Sequence, residues 1–534
     1  MLTSERDSSG PVVLAVDLGT SGCKTALVSL GGEVLAWAFR PVELHLLPGH
    51  GAEQDPSDWW AAFLSTAAEV LTQRPELRQR VLAVCCSTQG EGTVAVSRSG
   101  EPLTRCLLWM DMRGAAALRQ RVRGWVNVAG YGASKLWRWV RLTGGAPALS
   151  GKDPAAHMLY VKQTWPDVYE RTFKFLNVLD YLNLRLTGRF VATHDSILTS
   201  WVTDNRDLQQ VRYDPALIAA SGIEADKFPE LVRSTDVIGP LLPEVASELG
   251  LPRSTRVVAG AIDNSAGAVG SGAVEDYRAH LYIGTSSWVA AHLPDKKTSV
   301  TSQLAAVPCA VPGKYLAMGM QTAAGANLTF LRDRVLYHQD ELLAEAQLPD
   351  VYKILDRIAE RVPAGSRGLI YTPWLHGERS PVDDQHVRAA LFNLSLEHSR
   401  EDIIRAFFEG VALNTRWMFE PLRRFLGQPV ESLTLIGGGA SSNVWCQIFA
   451  DVLNVHVHQL DEPLQANALG AAYIAGVGLG ELAFADVPRR TRLRASYEPQ
   501  AANRAVLDDR FAAFQEIYRR NRSLYRQLND KGAS

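Results

Sequence analysis

At 534 residues the chain is too long for one ordinary domain and suits two or three, each large enough for its own core. An apolar content of 46%, a charged content of 21% and a net charge of -2 fit a soluble globular protein and leave no footprint for a nucleic acid, because the Lys and Arg residues are scattered. No run of about 18 apolar residues offers a membrane span, and the six cysteines lack metal or framework spacing, which suits a reducing cytoplasmic setting.

The opening MLTSERDSSGPVV has no basic segment followed by an apolar run, so it reads as a frayed tail and not a secretory signal. Alternation and apolar runs predict strands over 12–16, 24–29 and 33–39, with Gly31-Gly32 as the second turn of a meander. Asp55-Pro56-Ser57 starts a helix to about residue 71, and 81–87 is a buried strand. That strand ends at the polar turn Thr88-Gln89-Gly90-Glu91-Gly92, before a further strand over 93–97. Strand ends of this kind are where ligands collect in open α/β sheets.

The span 115–250 is predicted to be mostly helical and reads as an insertion elaborating the first half. A second half begins near residue 257 with an apolar strand over 257–262, the pair Asp263-Asn264, and a run of small residues over 265–272. A carboxylate between an apolar strand and a glycine-alanine run is either a chemical group or a helix cap. The segment HLYIGTSSWVAAHL then repeats the strand, turn, strand pattern of LAVDLGTSGCKTALVSL, and both turns carry Gly-Thr-Ser. Residues 433–436 form a short apolar strand, followed by Gly437, Gly438 and Gly439 and a helix over 440–453. A final helix carries the apolar stripe Leu507, Phe511, Phe514, Tyr518 and Tyr525.

Two small-residue turns on similar halves, with a strand, triple-glycine loop and helix start, suggest a grip on a polyphosphate, since such backbones approach anions closely; ordinary hairpins are the alternative. Gly145 to Lys152 is not a Walker A loop: five residues separate its outer glycines, and Asp153 stands where a Ser or Thr would hold magnesium. Ser21 and Lys24 have the spacing of an acyl-transfer motif whose companion motifs are missing. The thirteen tryptophans are read as core, and Arg519-Arg520-Asn521-Arg522 as a solvated helix face.

Taken in order, Asp17-Leu18-Gly19-Thr20-Ser21, Asp180-Tyr181-Leu182 with Leu186-Thr187-Gly188, Asp263-Asn264, Ile283-Gly284-Thr285-Ser286-Ser287, Gly377-Glu378-Arg379-Ser380-Pro381 and Gly437-Gly438-Gly439-Ala440-Ser441 resemble the motifs of the FGGY carbohydrate kinases, in the actin-like, sugar kinase and Hsp70 ATPase superfamily. The resemblance runs from about residue 12 to 480. It implies an α/β fold of two actin-like (ribonuclease H-like) domains, 11–265 on the sugar side and 266–490 on the nucleotide side, with the nucleotide in the cleft between them and a C-terminal helix, 500–528, packed on the body.

The same resemblance implies ATP and Mg2+. Asp263 would be the base and, with Asp17, would hold the metal, although Asp17 could instead cap its turn. Gly19, Thr20, Ser21, Lys24, Gly284, Thr285, Ser286, Gly438, Gly439 and Asn443 would bind ATP, and Gln89, Gly90, Glu91, Asp111, Asp263 and Asn264 the acceptor, a small sugar or polyol. Xylulose kinases share the layout but usually carry Gln-Met-His-Gly where this chain has Gln89-Gly90-Glu91-Gly92; glycerol kinases place an Arg-Glu pair there and erythritol kinases Gln-Gly-Asp-Gly. His157 and Tyr160 also depart from the Lys and Trp of the family signature, while Trp109-Met110-Asp111-Met112-Arg113 follows its Trp-x-Asp-x-Arg segment. D-xylulose is the leading acceptor, with a polyol kinase or a non-catalytic sensor as alternatives. A homodimer is an ordinary expectation for a soluble enzyme, and no segment marks its interface.

Overall fold

Residues 10–299, 302, 304–336 and 350–529 are described by a computed structural model in which two mixed sheets organise the chain. Val12–Gly19, Gly22–Ser29 and Val34–Pro41 form the antiparallel meander expected from the alternation. Val81–Thr88 then adds parallel to Val12–Gly19, Arg256–Ile262 adds parallel to Val81–Thr88, and Val237–Pro240 closes that edge antiparallel. Strands buried on both faces need crossovers that cover them; Pro56–Gln73 supplies one, capped by Asp55 through Ser57.

The second sheet repeats this order. Ala279–Ile283, Ser287–Leu293 and Tyr315–Gln321 form its meander, and Ser432–Ile436 and His456–Leu460 add in parallel on the other side. Thr298–Ser299 with Leu304–Pro308 extends one edge and Leu493–Tyr497 the other. The fold is therefore a duplication, and the twice-used Gly-Thr-Ser turn lies at the same place in each copy.

The insertion departs from its mostly helical expectation. Helices such as Ala115–Val122, Ala133–Thr143 and Pro154–Thr164 alternate with short strand pairs around a separate core that includes Trp139, Met158 and Phe175. The C-terminal helix Arg504–Asn529 packs Leu507, Phe511, Phe514 and Tyr525 against the second lobe, with the Phe514 ring edge-on to Trp374 at 5.3 Å. Among the described residues no helix is long and apolar enough to cross a membrane.

A third core joins the lobes. The helix Ala466–Gly478 follows a strand of the second sheet, yet it packs beneath the first, on Val13, Ala15, Ala83, Cys85 and Val258. It crosses the helix Asp263–Gly270 at two glycines: a Cβ on Gly470 would stand 1.9 Å from the Ala266 carbonyl oxygen, and one on Gly270 1.8 Å from that of Ala466. The backbones touch, so no side chain fits. Gly470→Ala is expected to force the helices apart at a cost of about 1–3 kcal/mol or more, visible as a lower melting temperature; an unchanged one would show that the crossing yields freely.

Candidate active site

Five reversals meet where strands end: Gly19 to Gly22 after the first strand, Thr88 to Gly92, Ile262 to Asp263, Ile283 to Ser287, and Ile436 to Gly439. All lie at carboxyl ends, so the two sheets present their ligand-binding edges to one cleft. Side chains cross it directly. Lys24 Nζ donates to the Leu464 carbonyl, Asn467 Nδ2 donates to Asp17 Oδ1 at 3.2 Å, and Arg379 Nη2 stands 3.9 Å from Glu91 Oε1.

Asp263 is the first residue of its helix, and its Oδ1 accepts the Asn264 backbone N–H at 2.7 Å. Burial pushes its carboxyl up to about 7, and the negative charges of Asp17, Glu91 and Asp195 act in the same direction. The insertion contributes here too: Asp195, itself buried, accepts from the Ile262 N–H at 3.2 Å and so fixes the strand-to-helix junction. Tyr282, which sequence reasoning missed, stacks on Trp288 with ring centroids 3.8 Å apart, and its hydroxyl is raised by burial and by the charges of Asp17 and Asp263.

Asp17 lies across from this carboxyl and is paired with Lys24 at 3.3 Å. Lys24 thus spends its bonds on Asp17 and Leu464, which leaves the acyl-transfer motif with Ser21 no support. Asn467, a second residue missed from the sequence, is buried and its Oδ1 has no partner among the described residues. Two carboxylates and an orphaned amide oxygen form a hard, all-oxygen donor set that fits Mg2+, an ion that keeps several waters and few protein ligands. Among the described residues no cluster of three or more His, Cys, Asp or Glu is placed to do more.

The polar turn after Val81–Thr88 divides into two parts. Gln89 is buried: its Oε1 accepts from Thr20 Oγ1 at 2.7 Å and its Nε2 donates to Gln54 at 2.8 Å. Trp109 Nε1 also donates to Thr20 Oγ1, at 3.0 Å, so the Thr20 hydroxyl is held inside a network and one tryptophan borders the site. Glu91 by contrast faces the cleft from a left-handed backbone, φ 62°, where glycine is favoured. Burial raises its carboxyl, opposed by the charges of Arg379 and Lys152. Lys152 comes from the segment that fails as a Walker A loop.

Asp111 is fully buried. Its oxygens accept from Arg113 Nη2 at 2.7 Å, Arg113 Nε at 3.0 Å and the Ala52 N–H at 3.0 Å, and Arg113 also pairs with Glu53 at 2.6 Å. The two signature departures brace this node. His157, pushed down to about 4 by burial, bridges Thr93 Oγ1 and the Asp111 carbonyl, and the Arg113 guanidinium lies 4.9 Å from the Tyr160 ring centre.

In the second lobe Thr285 is exposed, and its carbonyl accepts from the Ala324 and Ala326 N–H groups at 2.8 and 3.2 Å, tying the turn to the helix Gly325–Phe330. Gly437 takes φ 86°, and a Cβ there would meet the Ile283 carbonyl oxygen at 2.6 Å. Gly438 is open to the cleft, with Leu464 the nearest side chain. The expected helix over 440–453 begins later, at Asn443, because Gly438–Ser441 makes a 3-10 turn and Ser442 caps the helix through the Trp445 N–H. Asn443 is exposed at that start, and Gln459 Nε2 donates to its Oδ1 at 3.1 Å.

Comparison with known proteins agrees with this geometry. The chain is 30% identical to a xylulose kinase of Staphylococcus epidermidis over 97% of its length and 98% of that protein's. It is 26% identical to a gluconokinase of Bacillus subtilis, covering 88% of each chain. A solved xylulose kinase of Lactobacillus acidophilus, 22% identical, superposes with a TM-score of 0.83 over 97% of this chain and all of that one, so it shares the two-domain actin-like fold. Residues 12–270 match the N-terminal domain and residues 279–479 the C-terminal domain of a single family. Two duplicated sheets, each matched in order, place the chain in that family: it belongs to the FGGY family of carbohydrate kinases.

Proposed function

We propose that the protein transfers the γ-phosphate of ATP to a terminal hydroxyl of a small ketose, with D-xylulose as the acceptor. The observation that carries this reading is the Asp263 carboxyl, raised to about 7 at a cleft edged by two Gly-Thr-Ser turns. A general base is most useful when its pKa lies near the working pH. The full-length likeness to a xylulose kinase supports the choice of acceptor.

Phosphoryl transfer asks a protein chiefly for positioning and charge neutralisation. Asp263 takes the proton of the acceptor hydroxyl; that oxygen forms its bond to the γ-phosphorus, and the bond from phosphorus to the β,γ-bridging oxygen breaks, its electron pair leaving with ADP. A bound Mg2+ would neutralise phosphate oxygens, and Asp17 with Asp263 would hold it. Gly19, Thr20, Ser21, Lys24, Gly284, Thr285 and Ser286 would border the phosphates, and Gly438, Gly439 and Asn443 the nucleoside. Gly90, Glu91 and Asn264 would face the acceptor, with Gln89 and Asp111 holding the wall behind them. The lobes 11–265 and 266–490 would close on the acceptor and keep water from the phosphate.

The test is ADP release with Mg-ATP against D-xylulose, D-ribulose, glycerol, erythritol and D-gluconate, the last because of the gluconokinase relative. Strong stimulation by D-xylulose is the expected result. Stimulation by glycerol or erythritol alone would make this a polyol kinase, and ATP binding with no stimulation by any acceptor would favour the sensor reading.

A further inference from the structure

Tyr282 brings to the cleft a hydroxyl that no residue answers. Its ring is half-buried, yet the oxygen makes no hydrogen bond among the described residues and is not sealed from solvent. A tyrosine in such a place usually finds a partner for its O–H. Phenylalanine would fill the same space, so packing gives no reason for the oxygen.

Two glycines fix where that oxygen lies. A Cβ on Gly284, in the second Gly-Thr-Ser turn, would stand 2.5 Å from Tyr282 Cε1 and closer still to the hydroxyl. A Cβ on Gly437, which opens the triple-glycine loop, would stand 3.0 Å from Tyr282 Cε2. Both positions are bare where the ring needs room. The ring also packs on the cores that include Ala266 and Ala268, from the helix that Asp263 starts. The hydroxyl therefore stands against the turn, with the glycine loop and the Asp263 helix flanking its ring.

The ring is held firmly there. Tyr282 lies directly opposite Trp288 across the hairpin and stacks on it, with ring centroids 3.8 Å apart and planes 10° from parallel. Trp288 is itself buried and donates from Nε1 to His280 Nε2 at 3.1 Å; burial pushes His280 down to about 3 and so keeps it neutral. Burial, then the charges of Asp17 and Asp263, raises the Tyr282 phenol, so its proton stays on the oxygen.

We propose that Tyr282 is a further catalytic residue, whose hydroxyl donates a hydrogen bond to a phosphate oxygen of the nucleotide bound at the second Gly-Thr-Ser turn. The inference rests on the ATP-dependent kinase reading above. No oxygen of the described residues accepts this proton, so the acceptor comes from outside the chain, and a phenol is a donor suited to an anionic oxygen. Hydrogen bonds to charged groups are stronger than those between neutral ones. A donor fixed beforehand also needs no reorganisation as charge moves onto the phosphates.

The experiment compares wild type with Tyr282→Phe, which removes one oxygen and keeps the ring. It reads the melting temperature without nucleotide, direct binding of Mg-ATP, Mg-ADP and adenosine, and kcat/KM for ATP with the acceptor that wild type uses. The variant is expected to keep the melting temperature and the adenosine affinity, and to lose about tenfold or more in kcat/KM for ATP. Weaker binding of ATP alone would assign the oxygen to the γ-phosphate, and weaker binding of ATP and ADP together to an inner phosphate. A wild-type kcat/KM in the variant, or a loss shared equally by adenosine, would overturn the proposal. A wild type that binds no nucleotide would instead sink the kinase reading.

Discussion

Asp263→Asn is expected to lower kcat by about 10²–10⁴-fold, the range for removing a general base, while ATP affinity stays within a few fold. The amide keeps the side-chain oxygen that accepts the Asn264 N–H and loses the negative charge, and with it both the ability to take a proton and a share in holding Mg2+, so nucleotide binding is compared with and without Mg2+. Coupled ADP release and direct nucleotide binding, measured side by side, separate chemistry from structure; loss of both would make Asp263 structural. The pH profile follows with its sign fixed. The carboxyl is raised from 3.8 to about 7 by burial and by Asp17, Glu91 and Asp195, so below about 7 it is protonated and cannot act as a base. For wild type kcat/KM should fall about tenfold per pH unit below that point, and the variant should lack this limb. The same shift has a stability sign: the folded chain holds this proton more tightly than the unfolded one, so the contribution is present below 3.8 and is lost as pH rises to about 7.

The second large effect is expected at Asp111. Asp111→Ala strips the buried acceptor from Arg113 and from the Ala52 N–H, leaving Arg113 with Glu53 alone. Removing one partner of a buried ion pair costs about 3–5 kcal/mol, so urea unfolding should show a fall of that size. The wall formed by Glu53, Arg113 and His157 should loosen with it, and the acceptor KM should rise. A stability loss under about 1 kcal/mol together with a sharply raised acceptor KM would instead make Asp111 a direct acceptor contact, since exposed substitutions change little.

Much of this was legible in the chain because the informative parts are local. The meander over 12–39, the strand at 81–87 and the repeated Gly-Thr-Ser turns declare themselves by alternation and by residues without bulk, and the structure puts them at equivalent places in the two sheets. Asp263 stood out for want of a packing reason, and the helix-cap alternative put it one position early, since Ile262 is the cap and Asp263 the first residue of the helix. What escaped depends on distant partners. Asn467 reaches Asp17 across 450 residues, and Lys152 sits in a segment whose only recognisable pattern was a failed one. Thr20 and Gln89 illustrate another limit: sequence supplies a hydroxyl and an amide near a ligand, but not that they satisfy each other.

The helix Ala466–Gly478 also governs how the chain must be made. It covers the face of the first sheet formed by Val13, Ala15, Ala83, Cys85 and Val258, so a nascent chain that has completed Arg256–Ile262 still lacks the lid of its own first core. At ribosomal speeds of about 5–20 residues per second, that apolar face waits roughly 10–40 s for its cover. Splitting the gene at the boundary between the lobes should therefore yield an N-terminal fragment that aggregates, and a separately supplied C-terminal fragment would rescue it only if present as it emerges.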